Sequence, residues 1–233
     1  MDQHVNLDAR RLYAETRDRG IRLFRSLAPG EERKRVPLSP AWTVHDVAAH
    51  VCGINADVVS GNLAGLGTDD WTAAQVAARA RHSMGEICDE WVRLAAAIDE
   101  RIAQEPFFGI RLTGDLIVHL QDVQHALDLP IEQDDEATRA AAQRYVPPLQ
   151  QRAAERLGVG LAVDLVDVGR FDPSEVPAAS LILRSTSYDF LRSVSGRRSR
   201  RQVASLDWEG DPTDLLDLAW ASYGPLGTSD VSV

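Results

Sequence analysis

The sequence predicts an α+β protein in which an antiparallel four-helix bundle is followed by a small C-terminal α+β domain. Two observations lead to this prediction. Apolar residues recur at helical intervals as far as residue 157, and loops with glycine and proline separate the periodic segments. After Gly158 the pattern changes to period two, which is typical of half-buried strands. We therefore expect a helical domain over residues 1–158 and an α+β domain over residues 159–233.

The helical part divides into segments with recognisable starts and stops. Helices are predicted at residues 6–27, from Thr43 onward, and at residues 69–104, 112–127 and 135–157. Thr43 is a good N-cap, and Asp46 follows at the position of a capping-box acid. Residues 105–109 are predicted to form a turn, and Pro147-Pro148 is expected to kink or split the fifth helix.

The C-terminal part alternates short strands and helices. Strands are predicted at residues 161–168, 179–184 and 203–208, with helices at residues 187–195 and 214–223. A sheet with helices packed on it follows from this order.

Composition excludes some classes of partner. The 233 residues are 44% hydrophobic and 26% charged, as in an ordinary globular protein, and the net charge is −10. A negative chain has no general attraction to nucleic acid or to anionic membranes, so neither is expected as a partner.

The two cysteines, Cys52 and Cys88, form no CxxC pair and no disulfide framework. No segment has the layout of a signal peptide, and no apolar run is long enough to span a bilayer. We therefore expect a cytoplasmic protein whose cysteines are small buried hydrophobes rather than nucleophiles.

The fourth predicted helix carries the most unusual polar residues. Asp115 and His119 are four residues apart, and Asp122 follows three residues later, so all three lie on one helix face among apolar neighbours. On the second helix, His50 shares a face with Val47 and other apolar residues, whereas His45 lies well round the helix. Two imidazoles and one carboxylate from two helices could bind a divalent transition metal and leave positions open for substrate.

In that arrangement the metal ligands are His50, Asp115 and His119. Asp122 would accept a hydrogen bond from the second ring nitrogen of a ligand or hold a substrate group, and His125 could lie at the rim of the site. The residues alone leave a second interpretation open, in which these groups form a hydrogen-bond network inside the core. Asp115 near a helix start and His125 near a helix end could also be explained by the helix dipole.

Two segments occur in an order and spacing that are typical of one known family. The first is Trp42-Thr-Val-His-Asp-Val-Ala-Ala-His50, and the second covers residues 115–130 with the pattern Asp-x-x-x-His-x-x-Asp. They resemble the W-t-v-x-d-v-x-x-H and E-x-x-x-H-x-x-D segments of the mycothiol-dependent maleylpyruvate isomerase family, part of the DinB-like superfamily. Gly196-Arg197 and Gly210-Asp211-Pro212 resemble the signatures of that family's C-terminal α+β domain, so the likeness covers nearly the whole chain.

The resemblance implies a DinB-like four-helix bundle with a metal site of two histidines and one acid. Carried over, the ligands are again His50, Asp115 and His119, and the ion is zinc or, as an alternative, nickel. The family usually has Glu where this chain has Asp115, a carboxylate that reaches one carbon less far. Either the helix lies closer to the ion, or two histidines and water hold it.

The resemblance also implies the use of a low-molecular-weight thiol, mycothiol. A metal stabilises the nucleophilic thiolate near neutral pH. In an isomerase the thiolate adds to a conjugated double bond, allows rotation and leaves again; in an S-transferase it displaces a leaving group and stays on the product. Arg197 is a candidate to hold a carboxylate of a small organic substrate. The alternative is that Arg197 is a surface residue without a role in binding.

Two hypotheses of different classes follow. The first is a metal-dependent, mycothiol-dependent isomerase or S-transferase. The second is a bundle without metal or catalytic activity that binds a small ligand or another protein. Asp115 in place of glutamate is the feature that keeps the second hypothesis open.

Overall fold

The computed structural model describes residues 8–173, 179–220 and 226–231, and the chain divides into two compact units, residues 1–131 and 132–233. This architecture confirms the predicted α+β class, with a helical bundle followed by a smaller α+β part. Among the described residues, no helix is both long enough and apolar enough to cross a membrane.

The first unit consists of helices and one small hairpin. Its elements are α1 (Ala9–Arg25), β1 (Arg35–Val36), β2 (Ser39–Thr43), α2 (Val44–Ser60), α3 (Asp69–Arg79), α4 (Met84–Gln104) and α5 (Pro106–Ala126). Helix α1 packs on α4 and α5, and α2 packs on α4, α5 and the shorter α3. The core between them includes Phe24 and Trp91, whose ring centroids are 6.4 Å apart.

Two boundaries in this unit differ from the sequence prediction. The segment at residues 69–104 forms two helices, because Ser83 caps α4 in a capping box with Glu86. The predicted turn at residues 105–109 is instead the start of α5, with Pro106 at its first position, where a missing N–H costs nothing. Helix α5 is therefore longer than expected, and Asp115 lies more than two turns from its N-terminus.

The second unit is a mixed sheet with helices. It contains α6 (Glu136–Leu157), β3 (Leu161–Leu165), β4 (Gly169–Phe171), β5 (Leu181–Ser185), α7 (Ser187–Val194), α8 (Arg200–Ala204), β6 (Asp207–Glu209) and α9 (Thr213–Leu218). The strand order is β4-β3-β5-β6, with β3 and β5 parallel and the outer pairs antiparallel. Leu161, Val163 and Leu183 on the central strands are fully buried.

Helix α6 packs on α7, α9 and β3, which places it in the same compact unit as the sheet. Pro147 and Pro148 do not divide it, since one helix is continuous from Glu136 to Leu157. The division between the compact units therefore follows residue 131 in the sequence, whereas the sequence pattern assigns this helix to the bundle. A domain boundary near residue 158 stays a prediction.

The third predicted strand, at residues 203–208, is a helix end followed by a short strand. Ser199 caps α8 in a capping box with Gln202, so the chain is helical as far as Ala204 and extended only from Asp207. The predicted first and last helices extend into residues 6–7 and 221–223, which lie outside the described residues.

Candidate metal centre

His50 is placed by the first two turns of α2. Thr43 accepts a hydrogen bond from the Asp46 backbone N–H, and the Asp46 carboxylate accepts one from the Thr43 backbone N–H, as the sequence predicts. This cap fixes the start of the helix, so that Val47 and His50 face the interior. The His50 side chain is only 6% exposed.

Asp115 and His119 are placed by the middle of α5, one turn apart on the same face. Because α5 begins at Pro106, the dipole at its N-terminus is too distant to account for a carboxylate at residue 115. That alternative explanation for Asp115 is wrong for this structure.

The three predicted ligands meet at one point. His50 Nε2 lies 3.8 Å from Asp115 Oδ2, and His119 Nε2 lies 3.8 Å from Asp115 Oδ1. One ligand atom from each residue lies within 4.8 Å of the other two. Atoms that share an ion through bonds of about 2.0–2.2 Å are separated by about 3–4 Å, so small side-chain adjustments would let these donors bind one divalent cation.

Exposure differs among the three groups. The side chains of His50 and His119 are 6% and 10% exposed, whereas that of Asp115 is 38% exposed. Two buried imidazoles therefore face one carboxylate that is in contact with solvent. A site closed on the imidazole side and open on the carboxylate side could admit a small ligand.

Asp57 and Gln75 are polar contacts of this site that the sequence analysis missed. His50 Nδ1 lies 2.8 Å from Gln75 Oε1, and Gln75 Nε2 donates to Asp57 Oδ2 at 2.6 Å. Gln75 is 3% exposed and belongs to the buried face of α3, between Trp71 and Arg79. The spacing of four residues between Trp71 and Gln75 was the sequence signal that could have placed Gln75 on the buried face of α3.

The Trp42 side chain lies against both histidines. Its ring centroid is 4.9 Å from that of His50 and 5.7 Å from that of His119. The two imidazoles are in turn edge to face, 5.0 Å apart. The half-buried indole at the end of β2 therefore forms one wall of the site.

The remaining predicted site residues have other surroundings. Asp122 is fully buried, and its Oδ2 lies 3.8 Å from His119 Nδ1, on the ring side opposite Asp115. His125 is half-buried in the last turn of α5 and does not belong to the group of converging ligand atoms that the described residues form. Arg197 belongs to the second unit, where its Nη1 donates to the Ser195 carbonyl at 2.6 Å. Their roles toward a ligand or substrate stay predictions.

Neither cysteine is part of this site. Cys52 and Cys88 are completely buried free thiols. Burial raises the pKa of Cys52 to about 12 and also raises the pKa of Cys88. Both thiols are protonated near neutral pH, as expected for small buried hydrophobes.

Two histidines and an aspartate converge from two helices of the bundle, and this group could hold a metal ion. Residues 13–124, which include most of α1 and extend nearly to the end of α5, match the family described as mycothiol maleylpyruvate isomerase N-terminal domain. The match covers just under half of the chain, so the likeness to this family is shown for the helical unit. The resemblance read from Trp42–His50 and from residues 115–130 is thereby confirmed.

One solved structure supports the same fold at low sequence identity. A histidine-to-alanine mutant of the mycothiol-dependent maleylpyruvate isomerase aligns with a TM-score of 0.53 at 13% identity, covering 84% of this chain and 92% of that one. A second structure of the mycothiol-dependent maleylpyruvate isomerase aligns with a TM-score of 0.47 at 15% identity, covering 81% and 87%. The first of these alignments supports the fold of this chain but not its activity. A comparison with curated protein sequences finds no match.

Proposed function

We propose that this protein is a metal-dependent enzyme that uses a low-molecular-weight thiol, mycothiol, to isomerise a small organic substrate or to transfer the thiol to it. The observation that carries the proposal is the position of the Asp115 carboxylate, which faces the Nε2 atoms of both His50 and His119 at 3.8 Å. The family match over residues 13–124 supports the choice of thiol and of reaction class.

The donor set fits a borderline divalent cation. His50 and His119 would hold it through Nε2, and Asp115 would supply a carboxylate oxygen and one negative charge. Zinc is the proposed ion, with nickel as the alternative, because imidazole and carboxylate donors suit both. A cation held there would supply the charge that lowers the pKa of a coordinating thiol, so that thiolate would be available near neutral pH.

The chain's own residues would exclude water on one side and admit substrate on the other. Trp42 covers the two imidazoles, and Asp122 lies where it can orient the His119 ring. The exposed edge of Asp115 faces solvent. We propose that His125 borders this opening and that Arg197 holds a substrate carboxylate.

The thiol of the proposed reaction would be external, because the protein's own thiols are unsuitable. Cys52 and Cys88 are inaccessible, and burial holds their pKa values above the ordinary range. In a thiol-dependent reaction the nucleophilic sulfur would therefore come from a co-substrate. Thiol dependence itself is supported by the family match.

Metal analysis tests the proposal. Protein purified without chelator should contain close to one zinc or nickel ion per chain, and His50→Ala and His119→Ala should each weaken binding by about 100-fold or more. His45→Ala is the matched control, since His45 is on the same helix and its Nε2 lies 2.7 Å from the His82 carbonyl. Unchanged binding in both ligand variants would show that the ligand assignment is wrong.

Activity is measured on the same samples. Maleylpyruvate with mycothiol tests isomerisation, and mycothiol with an electrophilic acceptor tests transfer. Less than about a tenth of an ion per chain, without improvement when zinc or nickel is added, would contradict the enzyme proposal. It would support the alternative, a metal-free bundle that binds a small ligand or a protein.

A further inference from the structure

A chain of two hydrogen bonds leads from Asp57 through Gln75 to His50. Gln75 Nε2 donates to Asp57 Oδ2 at 2.6 Å, and Gln75 Oε1 lies 2.8 Å from His50 Nδ1. His50 and Asp57 are on the same helix, two turns apart, and Gln75 reaches both of them from α3.

The chemistry of the three groups gives this chain a fixed direction. An ionised carboxylate only accepts hydrogen bonds, so the Gln75 amide must turn its NH₂ group to Asp57. Its oxygen then faces His50 and must accept, so Nδ1 must carry the proton. In a neutral imidazole with Nδ1 protonated, the lone pair lies on Nε2.

We propose that Gln75, oriented by Asp57, is a positioning residue that selects the Nδ1–H tautomer of His50. This inference rests on the proposed metal site and deepens it. The selected tautomer presents an unprotonated Nε2 on the side of the ring where Asp115 lies. A divalent cation requires that form, because a protonated ring nitrogen cannot coordinate.

Asp115 is the competitor that makes selection necessary. Its Oδ2 lies 3.8 Å from His50 Nε2, so without a metal the carboxylate attracts a proton to that nitrogen. Gln75 opposes this by accepting from Nδ1 at the shorter distance of 2.8 Å. The tautomer of His50 is thus a balance between acceptors on two sides of the ring, and Gln75 favours the metal-binding form.

Helix α3 can make these contacts because α2 has no side chain at Gly53. A Cβ atom at Gly53 would lie 2.5 Å from the Gln75 Cβ and 2.9 Å from Arg79 Nη1. Arg79 holds the far end of α3 on α4 through two hydrogen bonds to the Glu90 carboxylate, from Nε at 2.9 Å and from Nη2. The close approach and this partly buried ion pair keep the Gln75 amide in place.

The test reads the tautomer directly in the metal-free, full-length protein. Long-range ¹H–¹⁵N correlations of the imidazole rings distinguish a protonated Nδ1 from a protonated Nε2, at a pH above the ordinary histidine pKa of about 6.5. We expect the Nδ1–H form for His50. His45 is the internal control and should show the opposite form, because its Nε2 must donate to the His82 carbonyl oxygen.

Two variants extend the test. In Gln75→Leu the acceptor is lost, and the His50 proton should move to Nε2. In Asp57→Asn the side chain at residue 57 keeps its shape, but the amide of Gln75 can turn either way. The Nε2–H form of His50 should therefore increase. An Nε2–H His50 in the parent protein, or a Gln75→Leu protein that keeps the Nδ1–H form, would overturn the proposal.

Zinc affinity supplies the second readout. Competition with a chromophoric chelator should show zinc bound about 10- to 100-fold more weakly by Gln75→Leu than by the parent. Equal affinity together with a changed tautomer would overturn the link to metal binding. If the parent binds no zinc, the proposed function fails, whereas the tautomer measurement still decides the hydrogen-bond assignment.

Discussion

The indole ring of Trp42 is stacked on the imidazole of His119, with 5.7 Å between the ring centroids and 26° between the planes. The same indole lies 4.9 Å from the His50 ring. One aromatic side chain from β2 therefore contacts both proposed imidazole ligands, which come from two different helices. Binding of a metal ion to either histidine should therefore change the environment of the Trp42 indole.

The first prediction is that Trp42 reports metal binding. Nickel bound by the adjacent imidazoles should quench its fluorescence, whereas zinc, with a filled d shell, should not. Although the chain has five tryptophans, most of the quenching should be lost in Trp42→Phe. Equilibrium dialysis of that variant provides the control, since nickel should still bind. Equal quenching in Trp42→Phe and the parent would mean that nickel binds elsewhere.

The second prediction concerns Asp115 and the glutamate usual in the family. Because the aspartate already faces both Nε2 atoms at 3.8 Å, the shorter side chain suffices here. Asp115→Asn should weaken zinc binding by about 100-fold, since the only charged donor of the three is lost. Asp115→Glu should bind zinc no more tightly than the parent, as measured by chelator competition. A tenfold higher zinc affinity of Asp115→Glu would show that the aspartate carboxylate does not reach far enough to bind the ion well.

The third prediction concerns alkaline stability. Burial raises the pKa of Cys52 to about 12, so the folded state keeps a proton that the unfolded chain releases near pH 8.5. This contribution to stability is complete below about pH 8.5 and is lost as the pH rises toward 12. Between about pH 8 and pH 10 the free energy of unfolding should fall by about 2 kcal/mol from this thiol.

Urea unfolding at the two pH values measures that change, and Cys52→Ala should flatten the pH dependence even where its absolute stability is lower. Some slope should remain, because burial also raises the pKa of Cys88. A parent protein with the same free energy of unfolding at both pH values would show that burial does not raise the pKa of Cys52 in the folded state.

The fourth prediction concerns the contact between α2 and α3. Gly53→Ala places a Cβ atom 2.5 Å from the Gln75 Cβ, so α3 must shift at a cost of about 1–3 kcal/mol. Zinc binding should weaken in the same variant, because the Gln75 contact to His50 is strained. Urea unfolding and chelator competition measure the two effects.

Gly85→Ala is the matched control for that experiment. Gly85 is in the first turn of α4, and the nearest heavy atom to a Cβ there is Ser83 Oγ at 3.9 Å. Alanine should therefore fit and stabilise the helix by about 0.5–1 kcal/mol. Equal effects of the two substitutions would contradict the packing argument.

Local signals predicted much of the helical unit. The Thr43–Asp46 cap placed the start of α2, and the spacing of Asp115 and His119 placed both on one face of α5. The sequence places Pro106 in a predicted turn, although proline is equally typical of a first helical position. A helix that began at residue 112 would have Asp115 near its N-terminal dipole, an explanation that the structure excludes.

The contacts of the histidine rings could not be predicted in the same way. Gln75 is 25 residues from His50 in sequence, and their hydrogen bond depends on how closely α3 packs on α2. Trp42 contacts His119 across 77 residues for the same reason. Such side-chain contacts between elements depend on packing distances that helical periodicity does not determine.

The direction of the Asp57–Gln75–His50 hydrogen bonds also affects how metal binding should be inferred from the sequences of related proteins. A sequence that keeps the two histidines and the acid, but lacks an acceptor at the position of Gln75, would retain the complete ligand motif and still hold zinc poorly. Conversely, an exchange at residue 57 could adjust metal retention without altering any ligand. Metal content in this family would then vary among chains whose ligand motifs are identical.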